Sequence, residues 1–193
     1  MAAIEVSAMS IADFMERYNH EGPFEFVDGE IIPVAPQVAR SGRVGGRFFR
    51  KLAGYVENHD LGEVFIETPF VLTLDNPNWV KGSRVPDVMF YSKEKLAALE
   101  QAVPDWEDKP LIGVPDFVAE VISPTDKFTE VSLKVTRYLQ DGVRLLWIIN
   151  PQQKMVTVYT SGSDQQTIVS DLNSSLSGGD VIPGFSINLA DLF

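Results

Sequence analysis

Between Pro115 and Asn150 an apolar run is interrupted once by an acid, gives way to an amphipathic segment and resumes as a second apolar run. The first run, Phe117 to Ile122 within PDFVAEVISP, holds one ionisable residue, Glu120, and is stopped by Ser123-Pro124. A short apolar run between such breakers predicts a buried strand. From Asp126 to Gly142 the spacing becomes helical. Phe128, Val131, Val135 and Tyr138 form an apolar stripe, Glu130, Lys134 and Arg137 run beside it, and Asp141-Gly142 supplies the stop. Leu145 to Ile149 reads as the second buried strand, closed by Asn150-Pro151. Strand, helix, strand in this order predicts a right-handed crossover with the two strands as parallel neighbours. The chain is therefore expected to be α/β, a sheet flanked by helices.

A carboxylate flanked by Val118, Ala119, Val121 and Ile122 loses solvation unless it meets a cation, a metal or a hydrogen-bond donor. A second acid has a similar setting: Asp87 follows Pro86 in the strand-like VPDVMFY, Val85 to Tyr91. Side by side in one sheet, Asp87 and Glu120 would suit a hard cation such as magnesium, which takes one or two carboxylates, waters and substrate phosphate. Such an ion lowers the pKa of a bound water and stabilises charge on a transferring phosphoryl group. Lys134, on the helix after the Glu120 strand, is the nearest candidate to orient that water or neutralise the phosphorane. Plainer roles stand beside these. Asp87 would cap a turn, Glu120 would pair with an arginine of an earlier helix, and Lys134 would make an i, i+4 pair with Glu130 worth about 0.3–0.5 kcal/mol.

That earlier helix is expected from about Val38 to Asn58, with Val44, Phe48, Leu52 and Tyr55 at intervals of three and four. Arg40, Arg43, Arg47, Arg50 and Lys51 share one of its faces, either as a solvated surface or as a patch for the DNA backbone. Gly42, Gly45 and Gly46 weaken it by about 1 kcal/mol each relative to alanine and are expected to permit close approach of a strand or ligand. Upstream, Ser10 and Asp13 cap a short helix, and Asp28-Gly29 sits between two strand-like runs, Phe24–Val27 and Ile31–Val34, as a hairpin with Pro33 at an edge. Two strands broken at Thr68-Pro69 lead to a turn cluster, Asp75-Asn76-Pro77-Asn78. A brief helix, Lys93 to Glu100, precedes a surface loop from Gln101 to Gly113. Met155–Thr160 and Gln166–Val169 read as a hairpin around Ser161-Gly162-Ser163-Asp164, and a turn-rich tail from Gly178 carries Val181, Phe185, Ile187, Leu189 and Phe193 into the core.

Composition removes several function classes. With no cysteine and only His20 and His59, disulfides, thiolate zinc sites, cysteine nucleophiles and histidine relays are excluded or disfavoured. A net charge of -11 argues against a generic nucleic-acid binder and confines any DNA contact to a local basic patch. No run approaches the roughly 18 apolar residues of a membrane span, and MAAIEVSAMS lacks the basic and apolar regions of a signal peptide, so a cytoplasmic location without a membrane partner is expected.

The order Pro86-Asp87, Glu120-Val121-Ile122 and Lys134 resembles the PD-(D/E)XK nuclease superfamily. FEFVDGEII from Phe24, GEVFIETPFVLTL from Gly62, VPDVMF, PDFVAEVISP, the Lys134 and Tyr138 pair, GVRLLWIINP from Gly142 and IPGFSINLADLF at the end resemble, in that order, the bacterial family of putative restriction endonucleases within it. The resemblance implies one nuclease-like domain over residues 1–193, with a restriction-endonuclease-like core, a mixed β-sheet flanked by helices, and added N- and C-terminal β-hairpins. It implies a metal-dependent endonuclease hydrolysing phosphodiester bonds of DNA, with RNA as a second candidate substrate and a homodimer as a candidate assembly. Asp87 and Glu120 would hold Mg2+ or Mn2+ with the Val121 carbonyl, Lys134 would assist the attacking water, and Glu25 and Glu67 stand in reserve as additional acids. Ile122 holds the superfamily's usual lysine position; the resemblance implies that in this family the lysine is moved to the helix, matching Lys134. From the family pattern the sequence departs at Ser41, a usual histidine position, at Glu130, a usual aspartate position, and at Leu145-Leu146 before Trp147. The alternative is a catalytically inactive nuclease fold acting as a binding or dimerisation module, through apolar residues around Trp79 or Trp106.

Overall fold

The computed structural model describes residues 9–74, 76, 78–163 and 165–193. Asp75, Pro77 and Asp164, and the first eight residues on which the leader expectation partly rests, lie outside them. Along the chain run β1 (Met9–Ser10), α1 (Ile11–Glu21), β2 (Phe24–Val27), β3 (Glu30–Pro33), α2 (Ala39–Asn58) and β4 (Gly62–Ile66). Next come β5 (Phe70–Thr73), β6 (Trp79–Arg84), β7 (Val88–Ser92), α3 (Lys93–Ala102), β8 (Leu111–Ile112) and β9 (Phe117–Val121). The chain continues with α4 (Phe128–Asp141), β10 (Leu145–Asn150), β11 (Met155–Thr160), β12 (Gln166–Val169), β13 (Ser175–Ser177) and β14 (Ser186–Asn188). Two compact units result. The first takes the chain to Pro36, Glu67–Val85 and Ala97–Val114; the second takes Gln37–Ile66, Pro86–Leu96 and Pro115–Phe193.

In the first unit Ser10 accepts the Asp13 N–H and starts α1, which buries Phe14. Asp28 and Gly29, both at positive φ, join β2 to β3 with Val27 opposite Glu30, the two-residue turn their sequence calls for. A four-stranded sheet runs β1-β6-β5-β8. Two of its strands carry no clear sequence signal. WVKGSR breaks apolar alternation with Lys81 and Gly82, yet forms β6; an added Cβ at Gly82 would lie 3.2 Å from the Phe26 carbonyl. The expected loop 101–113 contains a 3-10 turn at Trp106–Asp108 and β8, paired parallel to β5 through Phe70 and Leu111.

The second unit is built on a six-stranded sheet, β12-β11-β10-β9-β7-β4. β9 and β10 are parallel, from Phe117 opposite Leu145 to Val121 opposite Ile149, while β7 pairs antiparallel to β9, so the sheet is mixed. The crossover strands are thus neighbours as expected, with α4 between them in sequence. Phe117, Ala119 and Val121 pack with Leu145, Trp147 and Ile149, with Val44, Phe48 and Leu52 of α2, and with Phe185, Ile187 and Leu189 of the tail. Trp147 lies 5.4 Å from the Phe48 ring and 5.3 Å, edge-on, from Phe117. Burying each such side chain contributes about 1.5–3 kcal/mol. By the two-residue period of a strand, Met89, Val118, Glu120 and Ile148 face the other side. α4 covers that side through Val135 and Tyr138, but Phe128, expected in its apolar stripe, is 86% exposed. The helix starts at Phe128 itself, so that side chain projects from the first turn into solvent.

Candidate active site

Asp87 lies one residue before the paired run Val88–Ala119, Met89–Val118, Phe90–Phe117, and Glu120 lies one residue beyond Ala119, on the sheet face that α4 covers. Asp87 precedes β7 instead of lying inside a strand, and its carboxylate replaces a ladder partner: Oδ2 accepts the Val121 N–H at 2.6 Å. Gln37, just before α2, donates its amide to Asp87 Oδ1 at 2.6 Å. Glu120 is 6% exposed, and α4 supplies both its partners. Lys134 Nζ stands 3.1 Å from Oε2, and the Tyr138 hydroxyl donates to Oε1 at 2.5 Å. Lys134 and Tyr138 are one helical turn apart, which is why a single carboxylate meets both.

Glu120 forms an ion pair with Lys134 at 3.1 Å, and Glu130 forms one with Lys127 at 3.0 Å. Burial, and after it the Glu120 carboxylate, push the Asp87 carboxyl up to about 7, against the Val121 N–H, Lys134 and Gln37, which favour its charged form. Asp87, Glu120 and Lys134 therefore act on one another electrostatically.

The donors suit a hard cation. In a regular strand the N–H and C=O of one residue point to the same side, which would set the Val121 carbonyl toward Asp87, to which its N–H donates. Two carboxylates raise each other's energy, and a dication among them would relieve that repulsion. Among the described residues no group of three or more Asp, Glu or His is gathered closely enough to hold a metal. A cation here would be held by Asp87, Glu120 and the Val121 carbonyl, with water and substrate oxygen completing the shell, the pattern magnesium favours.

On α2, Arg40, Arg43, Arg50 and Lys51 are exposed and Arg47 half-buried. At about 100° per residue they fall on an arc away from the buried stripe Ser41, Val44, Gly45, Phe48 and Leu52. Lys51 forms an ion pair with Asp191 at 3.3 Å. The helix approaches the acids at its N-terminal end, where Ser41 Oγ lies 3.4 Å from the Ile122 carbonyl and a Cβ on Gly45 would be 3.6 Å from Val121. A Cβ on Gly42 would stand 3.3 Å from Gln37 Oε1, so that glycine leaves room for the side chain holding Asp87. The two reserve acids belong to the first unit: Glu25 is buried on β2 and accepts the Val85 N–H, and Glu67 is exposed at positive φ.

Sequence reasoning passed over Gln37, whose pairing spans fifty positions without any periodic signal. It also passed over Asp116, at the other end of β9. That acid is 2% exposed, accepts the Ser92 N–H at 3.0 Å, and has Lys95 at 3.0 Å and Arg144 at 3.6 Å.

A mixed sheet flanked by helices, with Asp87 just before one strand, Glu120 inside its neighbour and Lys134 paired with Glu120, is the frame of a nuclease-like α/β protein. The chain belongs to the Uma2 family, described as "Putative restriction endonuclease", whose model matches residues 11–190. A solved structure, a putative nuclease belonging to DUF820 from Anabaena variabilis ATCC 29413, is similar in fold, with a TM-score of 0.76 and 18% identity over 96% of this chain and 97% of that one. A search of the curated proteins finds no match. Family membership supports nuclease function in general terms. No helix among the described residues is long and apolar enough to cross a membrane.

Proposed function

We propose that this chain is a metal-dependent endonuclease that hydrolyses phosphodiester bonds of DNA, with Asp87, Glu120 and Lys134 as its catalytic residues. The observation that carries the reading is the meeting of these three side chains at the ends of two paired strands, with Lys134 3.1 Å from Glu120 and electrostatically felt by Asp87. Asp87, Glu120 and the Val121 carbonyl bind Mg2+ or Mn2+, which supplies an acidified water and charge neutralisation at the phosphate. The chain's own groups do the rest. Gln37 and the Val121 N–H fix Asp87, and Lys134 orients the attacking water and offsets the charge that gathers on the phosphoryl oxygens. Arg40, Arg43, Arg47 and Arg50, with Lys51 beside them, take the DNA backbone along the exposed face of α2.

The test is cleavage of plasmid DNA, with single-stranded RNA as a parallel substrate, in Mg2+ or Mn2+. Wild type should convert the plasmid and Asp87→Ala and Glu120→Ala should not, while all three share one circular dichroism spectrum. Cleavage that survives in both variants sinks the assignment. A wild type that neither cuts nor binds the ion favours an inactive binding module, and cutting confined to RNA changes the substrate.

A further inference from the structure

Lys134 and Tyr138 hold the same carboxylate, but only one of them brings a charge. An ammonium beside Glu120 cancels part of the negative field a dication needs; a phenol hydroxyl constrains the carboxylate and leaves that field in place. Tyr138 is 1% exposed and Glu120 6%, so no solvent competes for the 2.5 Å contact between Tyr138 Oη and Glu120 Oε1. A hydroxyl donated to an ionised carboxylate makes a charge-assisted bond. With Oε2 bonded to Lys134, both ends of the carboxylate are fixed and its free lone pairs have a set direction.

We infer that Tyr138 is the positioning residue for metal binding: its hydroxyl aims the Glu120 carboxylate at the cation without neutralising it, whereas Lys134 serves the reaction and not the affinity. The inference rests on the metal-site reading above and assigns the two α4 side chains separate tasks. Removal of a partner that orients a ligating carboxylate weakens metal binding by about 10–100-fold. Tyr138→Phe keeps the ring and deletes only the donor.

The experiment measures Mn2+ affinity by titration calorimetry, without substrate, for wild type, Tyr138→Phe, Lys134→Met and Tyr55→Phe. Tyr55 donates to the Pro183 carbonyl at 2.9 Å and serves as a hydroxyl deletion elsewhere in the same unit. Tyr138→Phe should bind about 10-fold more weakly or worse, Lys134→Met no more weakly than wild type, and Tyr55→Phe as wild type does. Wild-type binding with an unchanged constant in Tyr138→Phe overturns the role of Tyr138 and leaves the metal site standing. Equal losses in Tyr138→Phe and Tyr55→Phe, or loss of the circular dichroism spectrum in the former, make Tyr138 a structural support only. No binding by wild type removes the metal-site reading, and this inference with it.

Discussion

The Val121 N–H donates to Asp87 Oδ2 at 2.6 Å, so the strand that carries Glu120 also holds the acid facing it. That bond favours an ionised Asp87, yet burial and the Glu120 charge prevail and push its carboxyl up to about 7. Between the unfolded carboxylate range, about 4, and pH 7 the folded protein binds a proton the unfolded chain does not. Metal-free stability therefore falls as pH rises through this window and levels off above it. A cation beside Asp87 reverses the preference, so Mn2+ binding should release close to one proton per ion near pH 6 and almost none at pH 8. Calorimetry in buffers of different ionisation enthalpy counts those protons. Asp87→Asn should show neither the stability slope nor the release.

Lys134→Met should lower metal-free stability by about 1–2 kcal/mol, because Glu120 stays buried with its charge less well matched while water partly replaces a half-exposed ammonium. Adding Glu120→Gln should restore most of the loss. Urea denaturation of the two single variants and the double gives the coupling; additive losses would show that the pair contributes nothing.

Asp116 behaves oppositely to Asp87. Burial pushes its carboxyl up, but the Ser92 N–H and Lys95 outweigh that and hold it below the usual carboxylate range. Its contribution is present above about pH 4 and is lost as pH falls through its folded value. Asp116→Asn should cost about 1.5–3 kcal/mol at pH 7 and flatten the acid limb of the stability curve. Mn2+ affinity should not change, since Asp116 stands at the far end of β9 from Glu120.

Reversal of Arg43 and Arg47 to glutamate should weaken DNA binding at all sequences alike and reduce the steepness of its salt dependence by about 0.9 for each phosphate left without its cation. Filter binding over a salt series reads this directly. An unchanged slope would place the DNA elsewhere.

Most of the scaffold of the second unit was legible in sequence because its signals are local. The crossover strands, the helix closed by Gly142 and the stripe of α2 each declare themselves within one element. In the first unit the Asp28-Gly29 turn did the same. β6 and β8 escaped because partners elsewhere in the chain, not their own composition, make them strands: Gly82 fits under the Phe26 carbonyl, and Leu111 has Phe70 to pair with. Asp87 and Glu120 stood out as acids in apolar surroundings, but their partners did not, since Gln37 and Tyr138 become neighbours only once the sheet is assembled. Phe128 misled because periodicity marks which side of a helix is apolar and not where the covering surface ends.

By strand alternation position 122, the residue after β9, falls on the side of the sheet that carries Glu120, the side that α4 covers. An ammonium at 122 and one at 134 would both come to the acid from one side of the sheet. On the proposed reading, with Lys134 in the role of the superfamily lysine, the positive charge would reach Glu120 from the same side of the sheet although the short spacing that names the superfamily motif is absent. A pattern search keyed to an acid and a lysine two residues apart would pass over this chain; one keyed to a strand acid and the inner side of the helix that follows would find it.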